Sequence, residues 1–206
     1  MTRPDVTAVV FDLGGVLVDW NPRYLFRKLT SDAAAIEYFL SNVCTQHWNE
    51  GRDAGQTFVE GIAELTALHP QHESWIRAYF ERWPEMLAGD FPGTVDILKE
   101  IRREQRQRLF ALSNWSAETF PYALERFPFL QLFEKILVSG HEKLIKPDPR
   151  FFALLADRHQ VDFKRAVFID DVEKNVRAAR DLGFHAIRFT DPVSLRQNLL
   201  DLGVLS

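Results

Sequence analysis

Asp12 stands where an apolar run, residues 8–11, gives way to Gly14 and Gly15. The run predicts a buried strand that presents a carboxylate at its carboxyl end. A buried carboxylate is costly unless a cation or hydrogen bonds compensate it, and ligands bind outside the carboxyl ends of strands in open parallel sheets. Asp12 is therefore a candidate functional residue, although Asp is also a common turn residue.

Polar residues end two further apolar runs in the same way. Ser113 follows one predicted strand, and Asp170 and Asp171 follow another, residues 166–169. The carboxyl ends of parallel strands meet at one edge of a sheet. We therefore expect these polar side chains to converge with Asp12.

These residue types together have the chemistry of phosphoryl transfer. Three carboxylates cannot share a small volume in the ionised form without a cation, and hard oxygen ligands select magnesium over zinc. The hydroxyl of Ser113 can hydrogen-bond an anion, and Lys146, which Pro147 predicts to lie on an extended loop, supplies a positive charge. The chain has no Walker-type glycine loop, so we expect the phosphate on a substrate rather than on a nucleoside triphosphate.

The arrangement of predicted elements indicates an α/β protein. Strands are expected near residues 8–11, 109–112, 136–139, 166–169 and 186–189. Helical patterns separate them, which implies parallel strands joined by right-handed crossovers in a doubly wound sheet. Residues 20–90 show only helical spacing and no strand-like alternation, so they are expected to form a separate helical unit.

Composition bounds the partners and the compartment. The net charge of −4 over 206 residues gives no general attraction to nucleic acid or to an anionic membrane, and no apolar run approaches membrane-spanning length. The single cysteine, Cys44, excludes an intramolecular disulfide and suits a reducing compartment. With a first strand so near Met1, no signal peptide is expected. We predict a cytoplasmic protein acting on a small molecule, either a monomer or a homodimer.

Four short motifs resemble those of the haloacid dehalogenase (HAD) superfamily. They read FDLGGV at 11–16, LSN at 112–114, KPDP at 146–149 and FIDD at 168–171. Each is weak alone, but their order and spacing together match the family. The resemblance implies a Rossmann-like core formed by residues 1–19 and 91–206, with residues 20–90 inserted as a helical cap.

By position, the resemblance also implies the roles of individual residues. Asp12 would be the nucleophile that forms an aspartyl-phosphate, and Ser113 and Lys146 would hold the phosphoryl group, next to Asn114 in the substrate site. Asp12, Asp171 and the backbone carbonyl of Gly14 would coordinate a Mg²⁺ ion. Asp170 would ligate or support the same ion.

One position departs from the phosphatases of this superfamily. They usually carry a second Asp two residues after the nucleophile, as general acid and base, and here that residue is Gly14. Loss of a positioned acid–base group commonly costs ~10²–10⁴ in rate. The alpha-glucose-1-phosphate phosphatase-like subgroup, which this chain resembles, also has Gly there, which favours a phosphatase acting on a small phosphorylated metabolite such as a sugar phosphate. Asp19, solvent water or the substrate itself are candidates to replace the acid.

Two other interpretations stay open at this point. A 2-haloacid dehalogenase would also lack that Asp, but the dehalogenases resembling this pattern have a Ser-rich, metal-free fourth motif and a bulky aromatic residue in place of Gly14. A catalytically weak binding or regulatory protein would leave the acidic residues unexplained, because unused buried carboxylates are costly.

Substrate choice is expected to depend on the cap. Aromatic faces can stack on a sugar, and Trp20, Trp48, Arg52 and Trp115 lie in or near the predicted cap or just after the second motif. Ordinary packing within the cap is the competing interpretation for each of them. Hinges for cap movement are expected near residues 19–21 and 89–92.

Overall fold

Five parallel strands form the main sheet of the computed structural model, which describes residues 4–206. The described residues contain seven strands in all: β1 (Ala8–Phe11), β2 (Val18–Trp20), β3 (Leu87–Asp90), β4 (Arg108–Ser113), β5 (Lys135–Val138), β6 (Ala166–Asp170) and β7 (His185–Arg188). The main sheet has the order β5-β4-β1-β6-β7, and β2 and β3 form a separate two-stranded sheet. The predicted α/β fold with a doubly wound parallel sheet is confirmed.

Eleven α-helices connect and cover these strands within the described residues. They are α1 (Arg23–Leu29), α2 (Ala33–Asn42), α3 (Gln46–Asp53), α4 (Phe58–Leu68), α5 (Glu73–Glu81), α6 (Pro92–Glu104), α7 (Phe120–Arg126), α8 (Ser139–Glu142), α9 (Pro149–His159), α10 (Glu173–Asp181) and α11 (Pro192–Asp201). Short 3₁₀ turns lie at Pro70–His72, Trp83–Met86, Pro128–Leu132 and Phe163–Arg165.

The central strand β1 is buried on both faces, as its unbroken apolar sequence predicts. Successive side chains of a strand point to opposite faces, and accordingly Val9 and Phe11 belong to one hydrophobic cluster while Val10 belongs to the other. Phe11 pairs with Ala111 of β4 and with Ile169 of β6. This register fixes where the polar residues after the strands emerge.

The segment between β2 and β3 contains α1 to α5 and corresponds to the predicted helical unit. One detail of that prediction is wrong, because Leu87–Asp90 is a strand rather than part of a helical stretch. It pairs antiparallel with Val18–Trp20 at the two ends of the segment. Its sequence, LAGD, does not alternate between apolar and polar residues, so it gives no strand signal. The division into a core of residues 1–19 and 91–206 and a cap of residues 20–90 stays a prediction.

Candidate active site

Three carboxylates meet at the carboxyl edge of the main sheet. Asp12 follows β1, Asp170 is the last residue of β6, and Asp171 comes next. Each offers an oxygen that lies within 4.8 Å of the oxygens of the other two. The backbone N–H of Asp12 donates to the carbonyl of Ile169 at 2.8 Å, which fastens the two strand ends together. The expected convergence of these three acids is therefore observed.

Lys146 lies between two of these carboxylates and is fully buried. Its Nζ is 2.9 Å from Asp12 Oδ1 and 2.7 Å from Asp170 Oδ2. Burial alone would lower the pKa of Lys146, but the two carboxylates outweigh it and raise the pKa above its ordinary value. Lys146 is therefore a fixed positive charge beside Asp12.

The loop that carries Lys146 is held by Asn114. The Asn114 side chain donates from Nδ2 to the Lys146 carbonyl at 3.0 Å, and its Oδ1 accepts from the Lys146 backbone N–H at 2.8 Å. Asn114 thus positions the lysine backbone, while its assignment to substrate binding stays a prediction.

Ser113, at the end of β4, is buried, and its Oγ has no hydrogen-bond partner. A buried hydroxyl without a partner is unusual, because such groups are nearly always hydrogen-bonded. Ser113 is not among the residues that line the cavity beside Asp12, and its assignment to the phosphoryl group stays a prediction.

The two acids at the end of β6 have different surroundings. Asp170 accepts from Lys146, from Asn175 Nδ2 at 3.1 Å and from the backbone N–H of Val172 at 2.8 Å. Its oxygens are thus occupied by protein donors, whereas Asp171 borders the cavity beside Asp12. Asp170 is consequently better placed to support the site than to hold a metal with both oxygens.

Burial dominates the electrostatics of the acids. It raises the pKa of Asp12 to about 7, against the opposing effect of Lys146 and with the help of Asp170. Burial, followed by the charge of Asp170, also raises the pKa of Asp171. A divalent cation would favour the ionised form of both groups. The donor set, all carboxylate oxygens with no thiolate or imidazole, fits Mg²⁺.

Backbone conformation at the two glycines shapes the same site. Gly15 has a φ of +74°, and a Cβ there would lie 2.5 Å from Asp171 Oδ2, so this position requires the absence of a side chain. A Cβ at Gly14 would meet no atom within 4 Å. The position at which the superfamily phosphatases usually carry Asp is therefore open space in this protein.

A cavity of about 450 Å³ opens beside Asp12. Residues at the ends of the main-sheet strands and residues of the segment between β2 and β3 both line it. Four of the lining side chains are aromatic: Trp20, Phe58, Trp83 and Trp115. Trp20 Nε1 is buried without a hydrogen-bond partner. Four side-chain amides also border the space, those of Gln46, Asn49, Asn114 and Asn175. The walls thus combine ring faces with hydrogen-bonding groups.

The tryptophans and the arginine selected from the sequence divide into two pairs. Trp20 and Trp115 line the cavity, whereas Trp48 and Arg52 are not among its lining residues. The Arg52 guanidinium lies 4.8 Å from the centre of the Trp48 ring, and Trp48 Nε1 donates to the carbonyl of Gly61 at 3.2 Å. Packing within the segment between β2 and β3 therefore explains the second pair.

Asp53 is the main functional candidate that the sequence analysis did not select. It ends α3 and lines the cavity together with Asn49 and Glu50. Helix α3 reads QHWNEGRD, and its lack of an apolar stripe is typical of a solvent-exposed helix. The signal available in the sequence was the spacing of two polar residues, Asn49 and Asp53, which places them on one face of the helix. The structure shows that both are buried.

Two other acids have structural roles. Asp19, considered as a replacement acid, is not among the cavity-lining residues and accepts a hydrogen bond from the Tyr24 hydroxyl at 2.9 Å. Asp148 caps the amino terminus of α9 by accepting from the backbone N–H of Arg150 at 2.9 Å.

Together, the doubly wound sheet and the acidic cluster beside a buried lysine define a hydrolase with its site at the carboxyl edge of the sheet. The sequence profile of the haloacid dehalogenase-like hydrolases matches residues 6–183, so the chain belongs to this family. The resemblance inferred from the four motifs is confirmed.

Curated relatives include several phosphatases. The chain is 26% identical to sesquiterpene phosphatase astK of Aspergillus oryzae, covering 95% of each chain. It is 26% identical to the phosphorylated carbohydrates phosphatase of Thermotoga maritima, covering 87% of this chain and 83% of the relative. Acyl-CoA dehydrogenase family member 10 of Mus musculus is also 26% identical over 90% of this chain, which spans only 18% of that relative.

Solved structures confirm the fold. A HAD family enzyme from Bacteroides thetaiotaomicron, in complex with magnesium and inorganic phosphate, has a TM-score of 0.69 at 22% identity, covering 90% of this chain and 94% of its own. L-2-haloacid dehalogenase from Xanthobacter autotrophicus has a TM-score of 0.67 at 17% identity, covering 98% and 85%. At these identities the similarity concerns the fold alone.

Proposed function

We propose that the protein is a magnesium-dependent phosphatase that hydrolyses a small phosphorylated metabolite through an aspartyl-phosphate on Asp12. The observation that carries the proposal is the cluster of Asp12, Asp170 and Asp171 oxygens within 4.8 Å of one another. The buried ammonium of Lys146 lies next to it, and Ser113, at the end of the neighbouring strand β4, has an unpartnered hydroxyl. Carboxylates for Mg²⁺ beside donors for an anion suit a phosphate monoester dianion.

In the first step, an Asp12 oxygen attacks phosphorus and the bond between phosphorus and the leaving oxygen breaks. In the second step, water attacks phosphorus, and phosphate release restores the Asp12 carboxylate. Lys146 holds Asp12 in place by its 2.9 Å ion pair, and with Ser113 it binds the phosphoryl oxygens. Asp12, Asp171 and the Gly14 carbonyl would hold the magnesium, which when bound stabilises the negative charge of the phosphoryl group.

Among phosphorylated metabolites, a sugar phosphate is our preferred substrate. The four aromatic side chains around the cavity offer faces for a sugar ring, and the amides of Gln46 and Asn49 suit its hydroxyl groups. The Thermotoga maritima relative is named as a phosphatase of phosphorylated carbohydrates. Because the Aspergillus oryzae relative is named as a sesquiterpene phosphatase, an isoprenyl phosphate belongs in the substrate panel.

The partners, compartment and oligomeric state of this enzyme stay predictions from the sequence. Its partner would be the small phosphorylated metabolite, with no role for nucleic acid or a membrane, and we retain the cytoplasm as its compartment and a monomer or homodimer as its state. Within residues 4–206, no helix has both the length and the apolar character needed to cross a membrane.

The test is release of phosphate from p-nitrophenyl phosphate, from a panel of sugar phosphates and from an isoprenyl phosphate, with and without Mg²⁺. Asp12→Asn is the test variant, and Asp96→Asn, an exposed acid on α6, is its matched control. We expect magnesium-dependent release that is lost in Asp12→Asn and kept in Asp96→Asn. Release that persists in Asp12→Asn would refute the nucleophile.

The alternatives predict different results in the same experiment. A 2-haloacid dehalogenase would release halide from 2-chloropropionate without magnesium and no phosphate from the panel. A binding or regulatory protein would bind magnesium and phosphate without turnover. The acidic cluster disfavours the first alternative, because a metal-free reaction has no use for Asp171 beside Asp12.

A further inference from the structure

The cavity beside Asp12 contains a second buried carboxyl group that belongs to none of the four motifs. Asp53, the last residue of α3, lines the cavity together with Asp12 and Gly14, and only 8% of the residue is exposed. Asp12 stands at the end of β1, whereas Asp53 comes from the segment between β2 and β3. A substrate bound with its phosphorus at Asp12 would therefore extend into the space that Asp53 borders.

Asp53 is held by a short chain of hydrogen bonds. Asn49 Nδ2 donates to Asp53 Oδ2 at 3.1 Å, and the Tyr79 hydroxyl donates to Asn49 Oδ1 at 3.1 Å. The backbone of Ser116, in the loop after β4, also faces the carboxyl group. The carboxyl group is thus fixed by its own helix and by a core loop next to the motif that contains Ser113.

We propose that Asp53 is the general acid and base that serves the leaving group and the attacking water, in place of the carboxylate absent at Gly14. This inference rests on the phosphatase function proposed above. It assigns a catalytic role to a residue of the predicted cap, so the catalytic groups would be complete only when the cap covers the core.

Asp53 gives a proton in the first step and takes one back in the second. When Asp12 attacks phosphorus, the bond from phosphorus to the leaving oxygen breaks, and that oxygen takes the proton of the Asp53 carboxyl group and leaves as an alcohol. Water then attacks the aspartyl-phosphate and gives one proton to the Asp53 carboxylate. The bond from phosphorus to Asp12 breaks, phosphate leaves, and both acids return to their starting states.

The electrostatic surroundings of Asp53 allow both states near neutral pH. Burial, then the charges of Glu50 and Asp12, raises its pKa to about 7, while the Ser116 backbone and Arg52 oppose the rise. Tyr79, packed nearby on α5, has a pKa raised well above its ordinary value by burial and therefore stays neutral. A group that both gives and takes a proton works best when its pKa lies near the operating pH.

Other acids near the cavity are less suited to this role. Glu50 also lines the cavity, but it forms an ion pair with Lys174 at 3.0 Å. Asp171 lies beside Asp12 in the proposed metal site. Asp19 is hydrogen-bonded to Tyr24 and is not among the lining residues. Asp53 is the carboxyl group of the cavity wall that has neither a cationic partner nor a place in the metal cluster.

The test is a pre-steady-state comparison of Asp53→Asn with the wild-type protein, with Mg²⁺ and two substrates. An aryl leaving group such as p-nitrophenolate needs little protonation, whereas an alkyl or sugar leaving group does. We expect Asp53→Asn to release about one equivalent of p-nitrophenolate in a rapid burst and then turn over slowly, because water attack lacks its base. With an alkyl or sugar phosphate, we expect the first step to slow by about 10²-fold or more, without a burst.

Two controls separate catalysis from structure. Asp96→Asn removes an exposed carboxylate of α6 that does not line the cavity, and it should behave like the wild-type protein with both substrates. In the double variant Asp53→Asn with Gly14→Asp, the open space at Gly14 receives a new carboxyl group, and we expect at least a tenfold recovery with the alkyl or sugar phosphate. Mass spectrometry of the quenched Asp53→Asn reaction should detect phosphorylated protein.

Equal slowing of both substrates in Asp53→Asn, with no burst and no recovery in the double variant, would overturn the role of Asp53. Unchanged rates in Asp53→Asn would overturn it as well. If the wild-type protein releases no phosphate from any substrate, the proposed phosphatase function fails and this inference fails with it. The wild-type arm therefore distinguishes failure of the function from failure of the assignment to Asp53.

Discussion

The side chain of Asn114 forms two reciprocal hydrogen bonds with the backbone of Lys146, at 3.0 and 2.8 Å. They join the residue after β4 to a loop 32 positions further along the chain. Because Lys146 Nζ contacts Asp12, the position of the ammonium group relative to Asp12 depends on the Asn114 amide. Asn114 thus acts on the proposed chemistry through Lys146, in addition to any contact with substrate.

We predict that Asn114→Ala lowers the free energy of unfolding by about 1–3 kcal/mol, because two partly buried backbone groups lose their partners. Phosphate release should fall by about tenfold or more, because the Lys146 loop gains freedom. Chemical denaturation and steady-state kinetics measure the two effects. Asn42→Ala, which removes an exposed amide bonded to the Tyr38 carbonyl, is the control and should change neither. Equal effects of the two variants would contradict the prediction.

Lys146→Met should destabilise the protein strongly. The substitution keeps the length of the side chain but leaves the buried carboxylates of Asp12 and Asp170 without their cation. Breaking a buried ion pair in this way costs about 3–5 kcal/mol. Lys143→Met, at an exposed position of the same loop, is the matched control, and urea denaturation of both variants measures the difference. A loss below about 1 kcal/mol would show that water or a rearrangement compensates the acids.

Magnesium should stabilise the folded protein through the acidic cluster. An ion that binds only the folded state at about 100 times its dissociation constant adds about 2.7 kcal/mol to the free energy of unfolding. Thermal unfolding with increasing MgCl₂, and after chelation with EDTA, measures this effect. We expect Asp171→Asn to abolish most of the stabilisation, whereas Asp96→Asn should respond like the wild type. A magnesium effect that survives in Asp171→Asn would move the ion to another site.

Substitutions at the neighbouring residues Gly14 and Gly15 should have opposite effects on activity. A side chain at Gly14 meets no atom within 4 Å, so Gly14→Asp should fold and add an acid beside the nucleophile. In the Asp53→Asn background, we expect it to accelerate hydrolysis of simple alkyl phosphates more than that of sugar 1-phosphates, whose anomeric leaving group is less basic. Gly15→Ala should instead lose activity and stability, because its φ is positive and its Cβ would collide with Asp171. Equal acceleration of both substrate classes by Gly14→Asp would contradict the first expectation.

The core of the site could be predicted because it depends on strand ends. The apolar runs before Asp12 and Asp170 are buried strands, and parallel pairing of neighbouring strands brings their final residues together without further information. The neighbouring prolines, Pro147 and Pro149, predicted that Lys146 lies on an extended loop, and the family motif predicted its role in the site. What the pattern could not supply was the hydrogen-bonding partner of each residue, such as the clamp from Asn114.

The cap contribution was harder to predict for a physical reason. Helix α3 buries polar groups rather than an apolar stripe. Its Asn49 is hydrogen-bonded to Asp53 of the same helix and to the Tyr79 hydroxyl of α5. Periodicity detects apolar faces and therefore misses a helix that turns a polar face toward a cavity. Conversely, Arg52 and Trp48 have the residue types of a binding site but pack on each other. Strand β3 was missed because its residues, LAGD, do not alternate between apolar and polar types.

Asp53 should make the stability of the protein depend on pH in a characteristic direction. Its pKa is raised from an ordinary value of 3.8 to about 7, chiefly by burial. Between these two values the folded protein retains a proton that the unfolded chain has lost, so the stability contributed by Asp53 is greatest at low pH and is lost as the pH rises from about 4 to about 7. Asn49 and the Ser116 backbone limit this loss, because they favour the ionised carboxylate.

Asp53→Asn removes this titration while retaining a side chain of the same shape. We therefore expect the variant to gain stability relative to the wild type as the pH rises, by about 1–3 kcal/mol between pH 5 and pH 8. Urea denaturation of both proteins at both pH values, in EDTA, measures the change. Glu50→Gln should shift the wild-type transition to lower pH, because Glu50 contributes to the raised pKa of Asp53. A difference between Asp53→Asn and wild type that stays constant from pH 5 to pH 8 would mean that Asp53 does not titrate in this range.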